Sequence, residues 1–295
     1  MKLQGIIPAI ITPFKAKGEF DEDAQRENLN FLVKNGVHGL MVNGTTGEAE
    51  SLSPEERVKN VELAVQASAG KLPVIAGVGV PSTQPTIELA QDAKKAGADA
   101  VLIVTPFYLI PNDEGLMKHY KTIASAVDIP IVVYNIPPHT KVNVTPALLE
   151  RLCKEVPSIV GLKDSYGNVS QFAETVAKVG DKISVLNGCD DLSLPTFIVG
   201  APGAIICLAN IAPKMTVEMY DAVRKNDFEK ARKIYHKLLP IARGIGSEFN
   251  FPAPVKEAIN LLGRKAGPPR SPIVPVSSQE RENLKTALGY AGLLS

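Results

Sequence analysis

Cysteine, histidine and any excess of charge are all scarce in this 295-residue chain. The three cysteines, Cys153, Cys189 and Cys207, are odd in number and far apart, with no pair at the spacing of a metal knuckle or a redox motif. That argues against a disulfide framework and for a reducing, cytoplasmic setting, each thiol being read as a small core side chain. The four histidines, His38, His119, His139 and His236, form no pair able to clamp a metal from one helix face, so no metal site is expected. Lysine and arginine total 32 against 31 acidic residues, with no long run of one sign, which argues against nucleic acid or a membrane surface as partner. No apolar stretch approaches a membrane span, and Ile6 to Ile11, interrupted by Pro8, is too short and broken for a secretory signal.

What the chain does have is repetition of a simple kind. Short apolar, β-branched runs recur every few tens of residues: Gly5 to Ile11, Gly39 to Val42, Val74 to Ala76 and Ala100 to Val104, then Ile131 to Tyr134, Ile159 to Lys163, Ile183 to Leu186 and Ala204 to Cys207. Segments of helical period lie between them, for instance the stripe Leu116, Tyr120, Ile123, Ala124 and Val127. Ser53-Pro54-Glu55-Glu56 carries a helix start, with a capping serine, proline at the first helical position and glutamate completing a capping box; Thr145-Pro146 repeats the cap and proline. Several strands lack polar alternation, as strands buried on both faces do. Eight such units predict an α/β fold, a (β/α)8 TIM barrel over residues 1–225. An open doubly wound sheet is the rival, but no Gly-x-Gly-x-x-Gly turn follows the first strand, and Gly77-Val78-Gly79 is too short to serve. Residues 226–295 are expected to form a C-terminal helical extension packed on the barrel. Tail helices are expected over Thr216 to Lys225, Phe228 to Arg243, Pro254 to Leu262 and Ser278 to Leu294.

Barrels of this kind place their chemistry at the C-terminal strand ends. Four polar signatures fall there: Asn43 to Glu48, Thr105 to Tyr108, Tyr134 to Pro137, and Lys163-Asp164-Ser165. Lys163 ends the apolar run Ser158 to Leu162 and has two readings. Either it leaves the sheet for water, or it is an amine in a low-dielectric pocket, where burial depresses the pKa and favours a Schiff-base nucleophile. Thr45 and Thr46, between Gly44 and Gly47, either cradle a small anion such as a carboxylate or make an ordinary turn. Tyr134 either relays a proton or packs as a core tyrosine. Tyr108 beside Phe107 suits an aromatic packing pair, and Asp164 and Ser165 suit supporting or helix-capping roles.

Taken together, Gly44-Thr45-Thr46-Gly47-Glu48, Tyr134-Asn135-x-Pro137 and Gly161-x-Lys163-Asp164 resemble the dihydrodipicolinate synthase and N-acetylneuraminate lyase family of pyruvate-dependent aldolases. The resemblance runs end to end, through Pro8-Ala9-x-x-Thr12-Pro13-Phe14 and Asn250-x-Pro252-x-Pro254-Val255-Lys256. It implies that Lys163 forms an imine with the keto carbon of pyruvate or a 2-oxo acid, and that Tyr134 relays protons. Thr46 would link Tyr134 to Tyr108 of a neighbouring subunit. Thr45 and Thr46 would hold the pyruvate carboxylate, and Gly188 and Ile205 would line the pyruvate pocket. It also implies a homotetramer built as a dimer of dimers, and no cofactor, because a protonated imine is itself the electron sink.

The chain departs from the synthase pattern Tyr-Asn-x-Pro-Ser-Arg-Thr-Gly, reading Tyr134-Asn135-Ile136-Pro137-Pro138-His139-Thr140-Lys141. The bidentate arginine expected to hold the aldehyde's carboxylate is replaced by His139, whose charge depends on pH, while Lys141 is a point charge; His139 also reads simply as a loop residue. Aspartate after Lys163 leans toward keto-acid aldolases, and the Thr45-Thr46 pair toward synthases. The balance ranks first a 2-oxo acid aldolase, of the 2-keto-3-deoxy sugar acid or 4-hydroxy-2-oxoglutarate type. Dihydrodipicolinate synthase, condensing pyruvate with aspartate semialdehyde, comes second. A non-catalytic keto-acid binder would be expected to lose Lys163 or Tyr134, and Gly200-Ala201-Pro202-Gly203 is a weak cue for a phosphate-binding barrel.

Overall fold

The structure is a computed structural model that describes residues 1–246 and 249–294. Eight parallel strands run in chain order as β1 (Gly5–Pro8), β2 (Leu40–Val42), β3 (Val74–Gly77), β4 (Ala100–Val104), β5 (Ile131–Asn135), β6 (Ile159–Asp164), β7 (Ser184–Asn187) and β8 (Gly203–Ile206). Each pairs with its sequence neighbour, and β1 pairs with β8. A parallel bridge between Ala9 and Met41, with the His38 amide donating to the Ile6 carbonyl at 2.8 Å, joins β1 to β2 and closes the barrel. The expected TIM barrel is therefore the observed fold.

Helices occupy the intervals: α1 (Glu22–Lys34), α2 (Pro54–Ser68), α3 (Thr83–Lys95), α4 (Asp113–Ala126), the one-turn α5 (Pro137–Thr140), α6 (Pro146–Glu155), α7 (Val169–Val179), α8 (Ser193–Ile198) and α9 (Pro213–Arg224). The tail adds α10 (Phe228–Ile245), α11 (Ala253–Leu261) and α12 (Ser278–Tyr290). The expected start of α2 forms as read: Ser53 accepts from the Glu56 amide and Glu56 returns a bond to the Ser53 amide. Strand β1 is shorter than the apolar run that suggested it, since Pro8 has no amide to extend the ladder and only Ala9 continues it as a bridge. The last helix stops at Tyr290 rather than Leu294, because Gly292 takes a left-handed backbone (φ 76°). The expected extension 226–295 also takes in residues 247, 248 and 295, which lie outside the described residues.

Alternation along the strands sorts apolar side chains into two layers. Ile7, Met41, Ile75, Leu102, Val132 and Ile205 fill the barrel interior, while Ile6, Val42, Ala76, Val101, Val133 and Leu162 face the helices. With Leu162 pointing outward, the next residue of β6, Lys163, must point in.

The tail is fastened to the barrel by buried charge. Lys256 of α11, only 1% exposed, pairs with Glu48 at 2.5 Å and donates to the Pro268 carbonyl at 2.9 Å. Arg270 gives its amide to the other Glu48 oxygen at 2.8 Å and its guanidinium fork to Glu56 at 2.7 and 2.5 Å. The Phe14 ring lies 4.1 Å from both cations. Burial pushes the Lys256 ammonium down to about 8 although Glu48 opposes the shift. Removing one member leaves the other charge buried alone, so Lys256→Met is expected to cost on the order of 3 kcal/mol in unfolding experiments at neutral pH. The double variant Glu48→Gln/Lys256→Met should lose less than the sum of the singles; strict additivity would contradict the pairing. From pH 8 to the ordinary value of 10.5, the unfolded chain holds a proton that the folded chain has released. Wild type should therefore gain stability relative to Lys256→Met as pH rises through that window.

Candidate active site

Register sets the site. Tyr134 of β5 is the direct cross-strand partner of Lys163 on β6, and both point into the barrel mouth. Lys163 is 4% exposed, and its Nζ sits 4.2 Å from the centroid of the Tyr134 ring. Among the described residues neither the amine nor the phenol has a hydrogen-bond partner, so both polar atoms are free to meet a substrate. Lys163 therefore does not leave the sheet for water, and Tyr134 is not a core tyrosine satisfied locally.

The strand end that carries Lys163 is pinned by its neighbours. Asp164 accepts from the Tyr166 amide at 2.9 Å and from Asn135 Nδ2 at 3.3 Å, while Asn135 Oδ1 accepts from the Val144 amide at 2.8 Å. Burial pushes the Asp164 carboxyl up, against those hydrogen bonds. Gly188 donates its amide to the Asp164 carbonyl at 2.7 Å. A Cβ there would lie 2.1 Å from Ser165 Oγ and 3.1 Å from Lys163 Cε, so only glycine leaves room for the lysine stem.

Thr45 and Thr46 lie on the short 3₁₀ turn Thr45–Gly47, with Thr46 buried and Thr45 exposed. The left-handed backbone in this loop belongs to Asn43 (φ 59°) and Glu48 (φ 53°), not to the glycines. Gly47 is needed for close approach instead, since a Cβ would lie 2.9 Å from the Ile10 carbonyl.

A cavity of about 400 Å³ opens over Lys163 and Tyr134. Thr45, Thr46, Gly188, Ile205 and His139 all border it, as expected from the sequence. A neighbouring cavity of about 480 Å³ shares Thr45 and Tyr134 but does not reach the amine. Two other residues named from the sequence stand away from this cavity within the single chain. Tyr108 is 92% exposed, with a left-handed backbone (φ 68°), and neither borders the site nor forms an aromatic pair with Phe107 among the described residues. Lys141 folds back to donate to the Pro138 carbonyl at 2.7 Å and does not line the cavity.

The cavity also holds residues that the sequence reading passed over. Asp190 accepts from Cys207 Sγ and from the Leu208 amide, both at 2.7 Å, and burial pushes its carboxyl up while those bonds and Lys163 pull it down. Cys207 and Cys189 border the cavity rather than serving only as core filler. Burial and nearby carboxylates push the Cys189 thiol to about 12 and Cys207 well above its ordinary value, so both stay protonated at neutral pH. Asp191 and, from α10, Arg243 complete the rim. Applying the strand-end rule to β7 would have found Gly188 to Asp191 together; no local pattern marks Arg243. Among the described residues no cluster of metal-ligating side chains occurs, and no helix is long and apolar enough to cross a membrane.

The family model of the Dihydrodipicolinate synthetase family matches residues 2–291. The chain is 44% identical over 291 residues to the 4-hydroxy-tetrahydrodipicolinate synthase of Methanocaldococcus jannaschii, covering 99% of each chain. To that of Archaeoglobus fulgidus it is 42% identical over 292 residues, again covering 99% of each. Its fold superposes on the crystal structure of dihydrodipicolinate synthase from Thermotoga maritima with a TM-score of 0.96 at 37% identity, covering 100% of both chains. With an inward lysine paired to a tyrosine at the mouth of a parallel barrel, and relatives matched over their whole length, this chain belongs to the dihydrodipicolinate synthetase family.

Proposed function

We propose that this enzyme is a 4-hydroxy-tetrahydrodipicolinate synthase that condenses pyruvate with aspartate semialdehyde. The observation that carries the proposal is the buried Lys163 amine, unpartnered beside Tyr134 on the floor of a cavity, in a chain whose full-length relatives bear the synthase name. Those relatives reverse the ranking that put a 2-oxo acid aldolase first. The two features behind that ranking, His139 and Asp164, are respectively an exposed rim residue and a buried anchor of the strand end, and neither touches the reacting amine's hydrogen-bonding positions.

In this reading the Lys163 amine adds to the keto carbon of pyruvate, water leaves, and a protonated imine forms. Loss of a methyl proton gives the enamine, which attacks the aldehyde carbon. Proton transfers to and from the carbinolamine and the new hydroxyl fall to Tyr134, whose phenol donates and accepts. The acceptor's own amine then displaces Lys163 from the imine carbon, closing the ring and freeing the enzyme. Thr45 and Thr46 hold the pyruvate carboxylate, with Gly188 and Ile205 shaping its pocket and His139 at the acceptor side.

Tyr108 enters as a residue lent to a neighbouring subunit. Its exposure, continued by Leu109 and Ile110, supports a subunit contact at that loop and with it a homotetramer arranged as a dimer of dimers. The free thiols support a cytoplasmic setting, and residues 226–295 are best regarded as an extension of a barrel spanning 1–225.

With pyruvate present, aspartate semialdehyde should be consumed with a kcat/KM at least tenfold above glyceraldehyde, glyoxylate or N-acetylmannosamine; preference for one of the others would overturn the substrate assignment. Tyr134→Phe should lower kcat by about 10²-fold or more while leaving the fold intact by circular dichroism. Tyr108→Phe and Lys163→Ala subunits, each inactive alone, should regain activity when unfolded and reassembled together; a mixture without activity would place Tyr108 outside the site.

A further inference from the structure

We propose that Arg243 and Asp191 form a clamp for the zwitterionic end of the aldehyde substrate, the guanidinium taking its α-carboxylate and the aspartate its α-ammonium. The inference rests on the synthase reading, which supplies an acceptor of that chemistry. Both residues border the cavity that contains Lys163, and they arrive from separate elements. Asp191 sits in the turn after β7, and Arg243 in the last turn of α10. Tyr235, about two turns earlier on α10, lies between them: its hydroxyl donates to the Asp191 carbonyl at 2.7 Å, and its phenol is pushed up by burial and by Asp191 and pulled down by Arg243.

Neither side chain is spent on a partner. Among the described residues Arg243 makes no hydrogen bond or ion pair, and neither does the Asp191 carboxylate. The adjacent Asp190 is excluded, because its two oxygens are already taken by Cys207 and the Leu208 amide. Opposite charges that share one cavity rim without collapsing onto each other leave a gap that a zwitterion fills with both ends satisfied. Arg243 is the one guanidinium among the described residues lining this cavity, and its planar fork fits a carboxylate in two parallel bonds, which neither His139 nor Lys141 offers. The helical tail thus supplies the carboxylate anchor missing from the loop after β5.

The test is steady-state kinetics with pyruvate and aspartate semialdehyde, which carries both charges, with succinic semialdehyde, which lacks the ammonium and so cannot close the ring, added as an inhibitor. Arg243→Gln should raise KM for aspartate semialdehyde and Ki for succinic semialdehyde about tenfold or more, Arg243→Lys by less, and Asp191→Asn should raise only the KM for aspartate semialdehyde. KM for pyruvate should stay within about twofold in all three, which also reports an intact fold. A wild type that consumes aspartate semialdehyde while Arg243→Gln leaves its KM unchanged, or raises the KM of pyruvate equally, overturns the clamp alone. A wild type inactive on aspartate semialdehyde overturns the synthase reading and the clamp with it.

Discussion

Everything chemical in this protein depends on the parallel register that sets Tyr134 of β5 against Lys163 of β6. Side chains on a strand alternate, so a slip of one residue would turn the lysine into the helix layer, where Leu162 now packs among apolar side chains. Hydrogen bonds from Asn135 and Tyr166 to Asp164, and from Gly188 to the Asp164 carbonyl, lock the strand end in that register. The amine lies over the Tyr134 ring, and the bare backbone of Gly188 leaves room for its stem. In the proposed mechanism this placement sets the amine beside the phenol before a substrate arrives.

A second constraint comes from the far end of the chain. Glu48 closes the turn carrying Thr45 and Thr46, and its carboxylate is held by Lys256 and the Arg270 amide. The tail is thus fastened to a loop that borders the cavity, while α10 of the same tail brings Arg243 to the cavity rim. A barrel provides the floor and most walls of the site, and three tail elements determine how two sides of its mouth are held. Buried charge is an expensive fastener, and its presence beside a loop that borders the cavity points to position rather than stability as its benefit.

The barrel was legible because its signals are local. Eight apolar runs, helix caps at Ser53 and Thr145, and the absence of polar alternation in the strands are each written in a few consecutive residues. One rule about strand ends singled out Lys163, Tyr134, Thr45 and Thr46 as candidates, and the family resemblance supplied their expected roles. What escaped was long-range. The Glu48 to Lys256 pair spans most of the chain, and nothing near Arg243 in the sequence distinguishes it from any exposed helical arginine. Glycines 44 and 47 were read as allowing a tight turn, and that turn forms, while its left-handed backbone falls on Asn43 and Glu48. The order of the two candidate activities was also inverted, because loop residues such as His139 and Lys141 say little until their side chains are placed, and Lys141 proves to be turned onto its own backbone.

The central claim is that Lys163 becomes covalently attached to pyruvate, and chemical trapping tests it most directly. The active enzyme is incubated with pyruvate, reduced with borohydride, digested and mapped by mass spectrometry. Hydride addition to the imine carbon leaves a stable secondary amine. The account predicts one modified peptide, carrying its added mass on Lys163, with activity lost in proportion and no adduct in Lys163→Ala. An active enzyme that yields no adduct, or one whose adduct falls on another lysine, would contradict it.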